Sequence, residues 1–402
     1  MSSPIFDPGR IGGLELKNRV IRAGTSETMA TADGAITDDL VALYERLAEG
    51  MVGLIFTGHL YCYPRGRYAP RQTGIWSDEL LPGLNRLTAA VHRHGGRIFA
   101  QVAHAGSQSR VADNEPLAPS PVPNALTGRM VGEATEAEIW AAIEAFAAGA
   151  RRAVTSGFDG IHIHAGHGYL ISEFSSPLTN LRSDEWGGSP ERRNRFVLEV
   201  VRAIREVVPT ELPVSVKLGM YDAVPNGLEI EEALARAKLL VGAGVSAIEV
   251  STNVMGSTSD SVRQYVGVQR GQAIKDLLLH RALAHPVDEA YHRNLAKRLR
   301  PQIDVPIVLV GGIRRVETME EVLRSGDADF VSLARPFIRE PDLVAKIASG
   351  RRGPVACTSC NLCVMHEAHH SLRCWRTPRR RLLEHLVYRL RGGFRVSYRP
   401  RH

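Results

Sequence analysis

The chain has 402 residues, 44% of them hydrophobic and 23% charged, which is enough for a sizeable core and excludes a disordered or fibrous class. No apolar run reaches the roughly 18 residues a membrane helix needs and no signal peptide opens the chain, so a cytoplasmic location is expected. The net charge of +7 is local, because the stretch from Arg373 onward holds ten arginines and Glu384 is its only acid, so it marks a tail and not a nucleic-acid-binding body.

The first residues, PIFDPGRIGGLELKN, alternate around glycine turns and predict a hairpin that lids one end of a larger body. A rhythm of short β-branched runs and Ala/Leu/Glu/Arg-rich helical segments follows. Strands are expected at Arg19–Ala23, Gly53–Gly58, Arg97–His104, Gly160–His164, Pro213–Leu218, Ala247–Ser251, Pro306–Gly311 and Phe330–Ala334. Helices are expected at Asp38–Glu49, Asp78–His94, Thr135–Ser156, Ser189–Val208, Ile230–Ala243, Asp288–Arg300, Val316–Ser325 and Pro341–Ser349. Thr135-Glu-Ala-Glu has the pattern of a capping box, and Gly157 and Gly326 suit helix ends that need a positive φ. Eight β–α units predict a (β/α)8 TIM barrel over residues 1–350 with a Cys-rich and basic extension over 351–402. No GxGxxG follows the first strand, which argues against a Rossmann domain.

A barrel builds its site at the C-terminal ends of its strands. Those ends are Gly24-Thr25-Ser26, Thr57-Gly58-His59, Gln101 to His104, His164, Lys217, Ser251-Thr252-Asn253, Gly311-Gly312 and Ala334-Arg335. Gly311-Gly312 lets backbone amides approach a ligand, and Arg335 can grip an anion through paired N–H groups. One edge of the mouth therefore suits a phosphate. His164, His167 and Tyr169 lie at the opposite edge in GFDGIHIHAGHGYLISEFSSP, where a structural histidine pair is the competing reading. Gln101 and Lys217 stand at the centre, and a phosphorylated ring across the mouth accounts for all three features.

The blocks LKNRVIRA, GRIFAQVAHAG, AGHGYLISEFSSPLTNLRSDEWGGSPERR, VKLG, PIVLVGGIR and VSLARPFIREP, in this order, resemble the old yellow enzymes, FMN-dependent NAD(P)H:flavin oxidoreductases and ene-reductases. The resemblance implies FMN as cofactor, NADH or NADPH as reductant and a small unsaturated molecule as substrate. It implies Gln101 at the flavin pyrimidine edge and Lys217 near N1 and O2, where many relatives have arginine. Gly311, Gly312, Ala334 and Arg335 would hold the phosphate, with Gly24, Thr25, Ser26 and Gly58 also at the cofactor. His164 and His167 would bind the substrate carbonyl oxygen, and Tyr169 would be the proton donor. His162 carries no implied role. The long stretch Met255–His285 departs from the family pattern where substrate would enter.

Cys357, Cys360, Cys363 and Cys374 resemble the iron–sulfur segment of the dienoyl-CoA-reductase branch, with shorter spacing, and the flavin/nucleotide portion of that branch is not expected here. A [4Fe–4S] cluster, Zn2+ and free thiols are the three readings, with free thiols favoured. Leu382, Leu383, Leu386, Val387 and Leu390 fall on one face of a tail helix, expected to pack on its own barrel or a partner subunit in a homo-oligomer ahead of an acidic membrane surface. Two rivals to the reductase are a metal-dependent barrel hydrolase using His162, His164 and His167, and a flavin-binding redox sensor with little turnover.

Overall fold

The computed structural model describes residues 3–124, 128–254 and 289–393. β1 (Gly9–Ile11) and β2 (Leu14–Leu16) form the antiparallel hairpin. The other strands are β3 (Val20–Arg22), β4 (Leu54–Phe56), β5 (Leu60–Tyr61), β6 (Ile98–Ala103), β7 (Gly160–Ala165), β8 (Val214–Gly219), β9 (Ala247–Ser251), β10 (Ile307–Val310) and β11 (Phe330–Leu333). They pair in parallel in the order β4-β3-β11-β10-β9-β8-β7-β6, and β4 closes on β6 through Ile55–Ile98 and Phe56–Phe99. β5 adds a short pairing at the end of β6. The predicted (β/α)8 barrel is the observed fold.

Each expected helix is present, most within a residue or two of its expected ends. Thr135 and Glu138 form a reciprocal capping box at the start of Glu136–Thr155. Gly157 and Gly326 adopt φ of 76° and 72° directly after their helices. The predicted Asp288–Arg300 helix is described only as Arg293–Leu299, and Met255–His285 lies outside the described residues.

A barrel strand has helices on one side and the barrel interior on the other, so both faces are buried. Ile161, Ile163, Val214 and Val216 face outward and join the helices Glu136–Thr155 and Pro190–Val207 in one apolar cluster. The inward set begins at the N-terminal end with Ile21, Leu54, Phe56, Phe99, Val308 and Phe330, and the hairpin residues Ile11 and Leu16 pack against them. The hairpin therefore plugs the end opposite the mouth.

Above this floor the interior becomes polar. The His162 ring stacks on Phe56 at 3.8 Å between centroids. Its Nε2 donates to Glu249 Oε2 at 3.2 Å, and its Nδ1 meets Ser215 Oγ at 2.8 Å. Lys217 Nζ donates to the same Glu249 oxygen at 2.5 Å. Strand register makes the group possible, since His164, Lys217 and Glu249 are level neighbours across β7, β8 and β9. Burial alone would raise the Glu249 carboxyl, but Lys217 and His162 hold it well below the usual carboxylate range.

Removing the carboxylate would leave a buried ammonium without its counter-ion. We expect Glu249→Leu to lower stability by about 3–5 kcal/mol, read as a fall in the urea unfolding midpoint. The double variant Lys217→Met/Glu249→Leu should recover much of that loss.

Candidate active site

β7 delivers His164 to the mouth, and the chain then turns sharply. His167 adopts φ of 63° and Gly168 φ of 74°. A Cβ on Gly168 would approach Gln108 Nε2 at 2.5 Å, and that nitrogen donates to the His167 carbonyl at 2.6 Å. Glycine is therefore required where the backbone passes Gln108. The turn brings the His164 ring within 5.1 Å of His167 and 4.7 Å of Tyr169, centroid to centroid. His167 Nε2 is held by Ser251 Oγ at 2.9 Å. Burial lowers His164 well below the ordinary histidine value and His167 to about 3, with neighbouring positive groups adding to the effect. Both rings are neutral and can donate an N–H to an uncharged oxygen.

The wall between strands one and two is a buried polar network. Arg22 Nη2 pairs with Glu27 Oε1 at 2.8 Å, and Arg22 Nη1 donates to the Phe56 carbonyl at 2.7 Å. Tyr44 Oη donates to Glu27 Oε1 at 2.6 Å. Gly58 N–H reaches both Glu27 Oε1 at 3.0 Å and Tyr44 Oη at 2.8 Å. Its amide is engaged within the protein, and a Cβ there would collide with Glu27 Oε2. Gly58 thus shapes the wall, and the sequence-based expectation that it meets the cofactor gains no amide to support it. Gly24 has the matching role for Gln101, whose Nε2 fills the place of a Cβ on Gly24. Thr25 Oγ1 donates to the Ala23 carbonyl at 3.0 Å.

At the far edge Gly311 and Gly312 have φ of 129° and 70°, outside the range of most side chains. Arg335 opens the short helix Arg335–Arg339 after Ala334, and its Nη1 donates to Asn361 Oδ1 at 2.5 Å. The mouth fits the FMN that the resemblance implies. Gln101 borders Gly24, Lys217 is buried, two glycines with positive φ follow the strand beside the one that leads into Arg335, and His164 Nδ1 is a buried atom with no partner among the described residues.

The extension folds back onto this mouth. Thr28 Oγ1 donates to the His370 carbonyl at 2.6 Å, and Leu372 N–H donates to the Glu27 carbonyl at 2.8 Å. Ser26 bonds the side chain of Glu367. Ala368 packs against the cluster of Tyr68, Ala103, Ala105 and Tyr169. Cys357, Cys360, Cys363 and Cys374 line one pocket with Arg335, Arg339 and Arg376. None is in a disulfide, and burial pushes Cys363 up to about 12 with Cys357 and Cys360 adding to the rise. The four thiols have the donor chemistry of a [4Fe–4S] or zinc site. Among the described residues, however, no three ligating side chains converge closely enough to hold an ion. The donors are right and the geometry is not closed, so no step is derived through a cluster.

The tail helix is Arg380–Leu390. It buries His385, hydrogen-bonded to His366 Nε2 at 2.9 Å, while Leu383 and Leu390 are 65% and 87% exposed. The His366 ring that His385 meets is itself stacked on Trp375 at 3.5 Å. Arg193 and Arg195 pair with Glu232 and Glu185 at 2.7 and 2.9 Å, in keeping with a loop-fastening role. His162 has both nitrogens engaged by Ser215 and Glu249, so the three histidines do not form a metal-ligand set. Sequence reasoning missed Glu249 as part of the site and placed His59 at a strand end without a role. The inward phase of Glu249 beside Lys217 was the available signal for the first; for the second it was only a strand-end position.

A family profile described as the NADH:flavin oxidoreductase / NADH oxidase family matches residues 4–353. The NADPH dehydrogenase of Geobacillus sp. (strain WCH70) is 37% identical over 342 residues, covering 85% of this chain and 92% of that protein. The NADH oxidase of Thermoanaerobacter brockii is 34% identical over 377 residues, covering 92% of this chain and 54% of that protein. The chain thus spans about half the length of that relative. The old yellow enzyme homologue from Zymomonas mobilis superimposes with a TM-score of 0.71 at 26% identity, over 89% of this chain and 96% of its own. A 2-naphthoyl-CoA reductase shares the fold, with a TM-score of 0.82 at 24% identity over 94% of this chain and 57% of its own. From the profile match and these relatives, the chain belongs to the NADH:flavin oxidoreductase / NADH oxidase family, that of the old yellow enzymes.

Proposed function

We propose that the chain is an FMN-dependent oxidoreductase that takes a hydride from NADH or NADPH and reduces the C=C bond of an α,β-unsaturated carbonyl compound in a ping-pong cycle. The observation that carries this reading is the grouping of two neutral histidines and Tyr169 at the mouth of a barrel that holds Gln101 and the Lys217–Glu249 pair. FMN supplies the hydride transfer that no side chain can perform. Gln101 and Lys217 would hold its pyrimidine edge, Gly24, Thr25 and Ser26 would border it, and Gly311, Gly312, Ala334 and Arg335 would take its phosphate.

The chain's own residues account for the rest. His164 and His167 offer N–H groups to the carbonyl oxygen, which gains negative charge as a hydride adds at the β-carbon. Tyr169 gives its proton to the α-carbon, so the product gains one hydride and one proton, and the phenolate regains a proton from solvent. The cysteine pocket has no part in this sequence.

We expect the purified protein to be yellow, or to become so on adding FMN. A colourless protein that refuses added FMN would sink the reading. Tyr169→Phe should slow reduction of an enone such as 2-cyclohexen-1-one by about 10²–10³-fold while flavin reduction by the nicotinamide is retained. Equal loss in both half-reactions of a stopped-flow experiment would remove Tyr169 as the acid. NAD(P)H oxidation by the unaltered protein that no enone accelerates would favour the redox-sensor reading.

A further inference from the structure

His59 follows β4 at the mouth, buried beside Tyr169 with 5.5 Å between ring centroids at an angle of 75°. Its Nε2 lies 3.3 Å from Tyr169 Oη. Either atom could donate in such a pair, and the neighbouring Gln72 decides which one does.

Gln72 Oε1 accepts the backbone N–H of Tyr68 at 2.6 Å, which identifies that end of the amide as the oxygen. The other end, Nε2, donates to the His59 carbonyl at 2.8 Å, and a carbonyl can only accept. Two independent backbone groups therefore orient the amide the same way. The same Nε2 lies 2.7 Å from His59 Nδ1. An NH2 group facing a ring nitrogen at that distance requires the nitrogen to be an acceptor. Neutral His59 then carries its hydrogen on Nε2, pointed at the tyrosine. Burial lowers His59 to about 4, opposed in part by Glu27, so the ring is neutral near pH 7. The other titratable rings around Tyr169 are His164 at 4.7 Å and Tyr68 at 5.7 Å.

We propose that His59 is the positioning residue for Tyr169: its Nε2–H donates to the phenol oxygen, so the tyrosine proton is not engaged by His59 and the phenolate formed on proton transfer keeps a hydrogen bond. The inference rests on the role given to Tyr169 above. No atom is gained or lost at His59, which stays neutral throughout. Gln72 is the residue that sets its tautomer.

Two variants separate donation from packing. His59→Phe fills the space without an N–H, and His59→Gln keeps a donor. In stopped-flow assays with 2-cyclohexen-1-one, His59→Phe should slow the oxidative half-reaction about tenfold, the effect of one lost hydrogen bond. It should leave reduction by NADPH unchanged and shift the alkaline limb of the pH–rate profile upward, because an uncompensated phenolate is harder to form. His59→Gln should restore most of the rate and return the limb toward its original position. Gln72→Glu tests the same contact without touching His59: a carboxylate facing Nδ1 draws the hydrogen to that nitrogen and should slow the same half-reaction. If Tyr169→Phe slows enone reduction while the His59 and Gln72 variants leave both rate and pH limb unaltered, the inference is overturned and the role of Tyr169 stands. If Tyr169→Phe is itself without effect, that role fails and this inference falls with it.

Discussion

An ammonium group inside a parallel barrel is the constraint to which the rest of the interior answers. Lys217 is buried at mid-height, where an unpaired cation would cost several kcal/mol. Glu249 supplies the counter-charge from the adjacent strand, and His162 supplies a second hydrogen bond to the same carboxylate oxygen. Each of these residues is fixed by parallel register, so the pair cannot drift without sliding a strand. The apolar floor below and the hairpin beneath it complete a dry base, and polar chemistry is confined to the layer above.

A second buried charge pair does related work at the rim. Arg22 and Glu27 bind the ends of the first two barrel strands to Tyr44 on the outer helix Asp38–Glu49. Glu27 accepts from Gly58 through its side chain and from Leu372 through its carbonyl. One residue thus ties strand ends, outer helix and extension into a single wall. A missing side chain at Gly58 is part of that wall because the Glu27 carboxylate occupies the space.

Much of this was legible in the sequence, for identifiable reasons. Strand ends in a barrel are ordered by the chain itself, so the order of the strands that carry or precede His164, Lys217 and Arg335 could be read from spacing alone. The capping box at Thr135 and the glycines at 157 and 326 are local devices and read correctly as such. The roles of Glu249 and His59 were not legible because their importance is relational. Glu249 matters through Lys217 on the next strand, and His59 through a glutamine thirteen positions away and a tyrosine 110 positions away. Gly58 was assigned to the cofactor by resemblance, and its contact with the Glu27 carboxylate of the same chain could not be read from sequence. The tail helix was read from its leucine stripe, and its buried contact through His385 was not, because that contact depends on His366 stacked on Trp375, which no helical periodicity marks.

The contacts of the extension also bear on how the protein is made. Thr28 and His370 are separated by 342 positions, yet their hydrogen bond lies on the rim of the mouth. During synthesis the strand-one end leaves the ribosome first, and its covering segment emerges after the entire barrel sequence. Closing so long a loop is slow relative to local helix formation, and domains fold in the order their sequence is released. The barrel can therefore assemble before Ala368 packs beside Tyr169, and the rim acquires this part of its outer wall late.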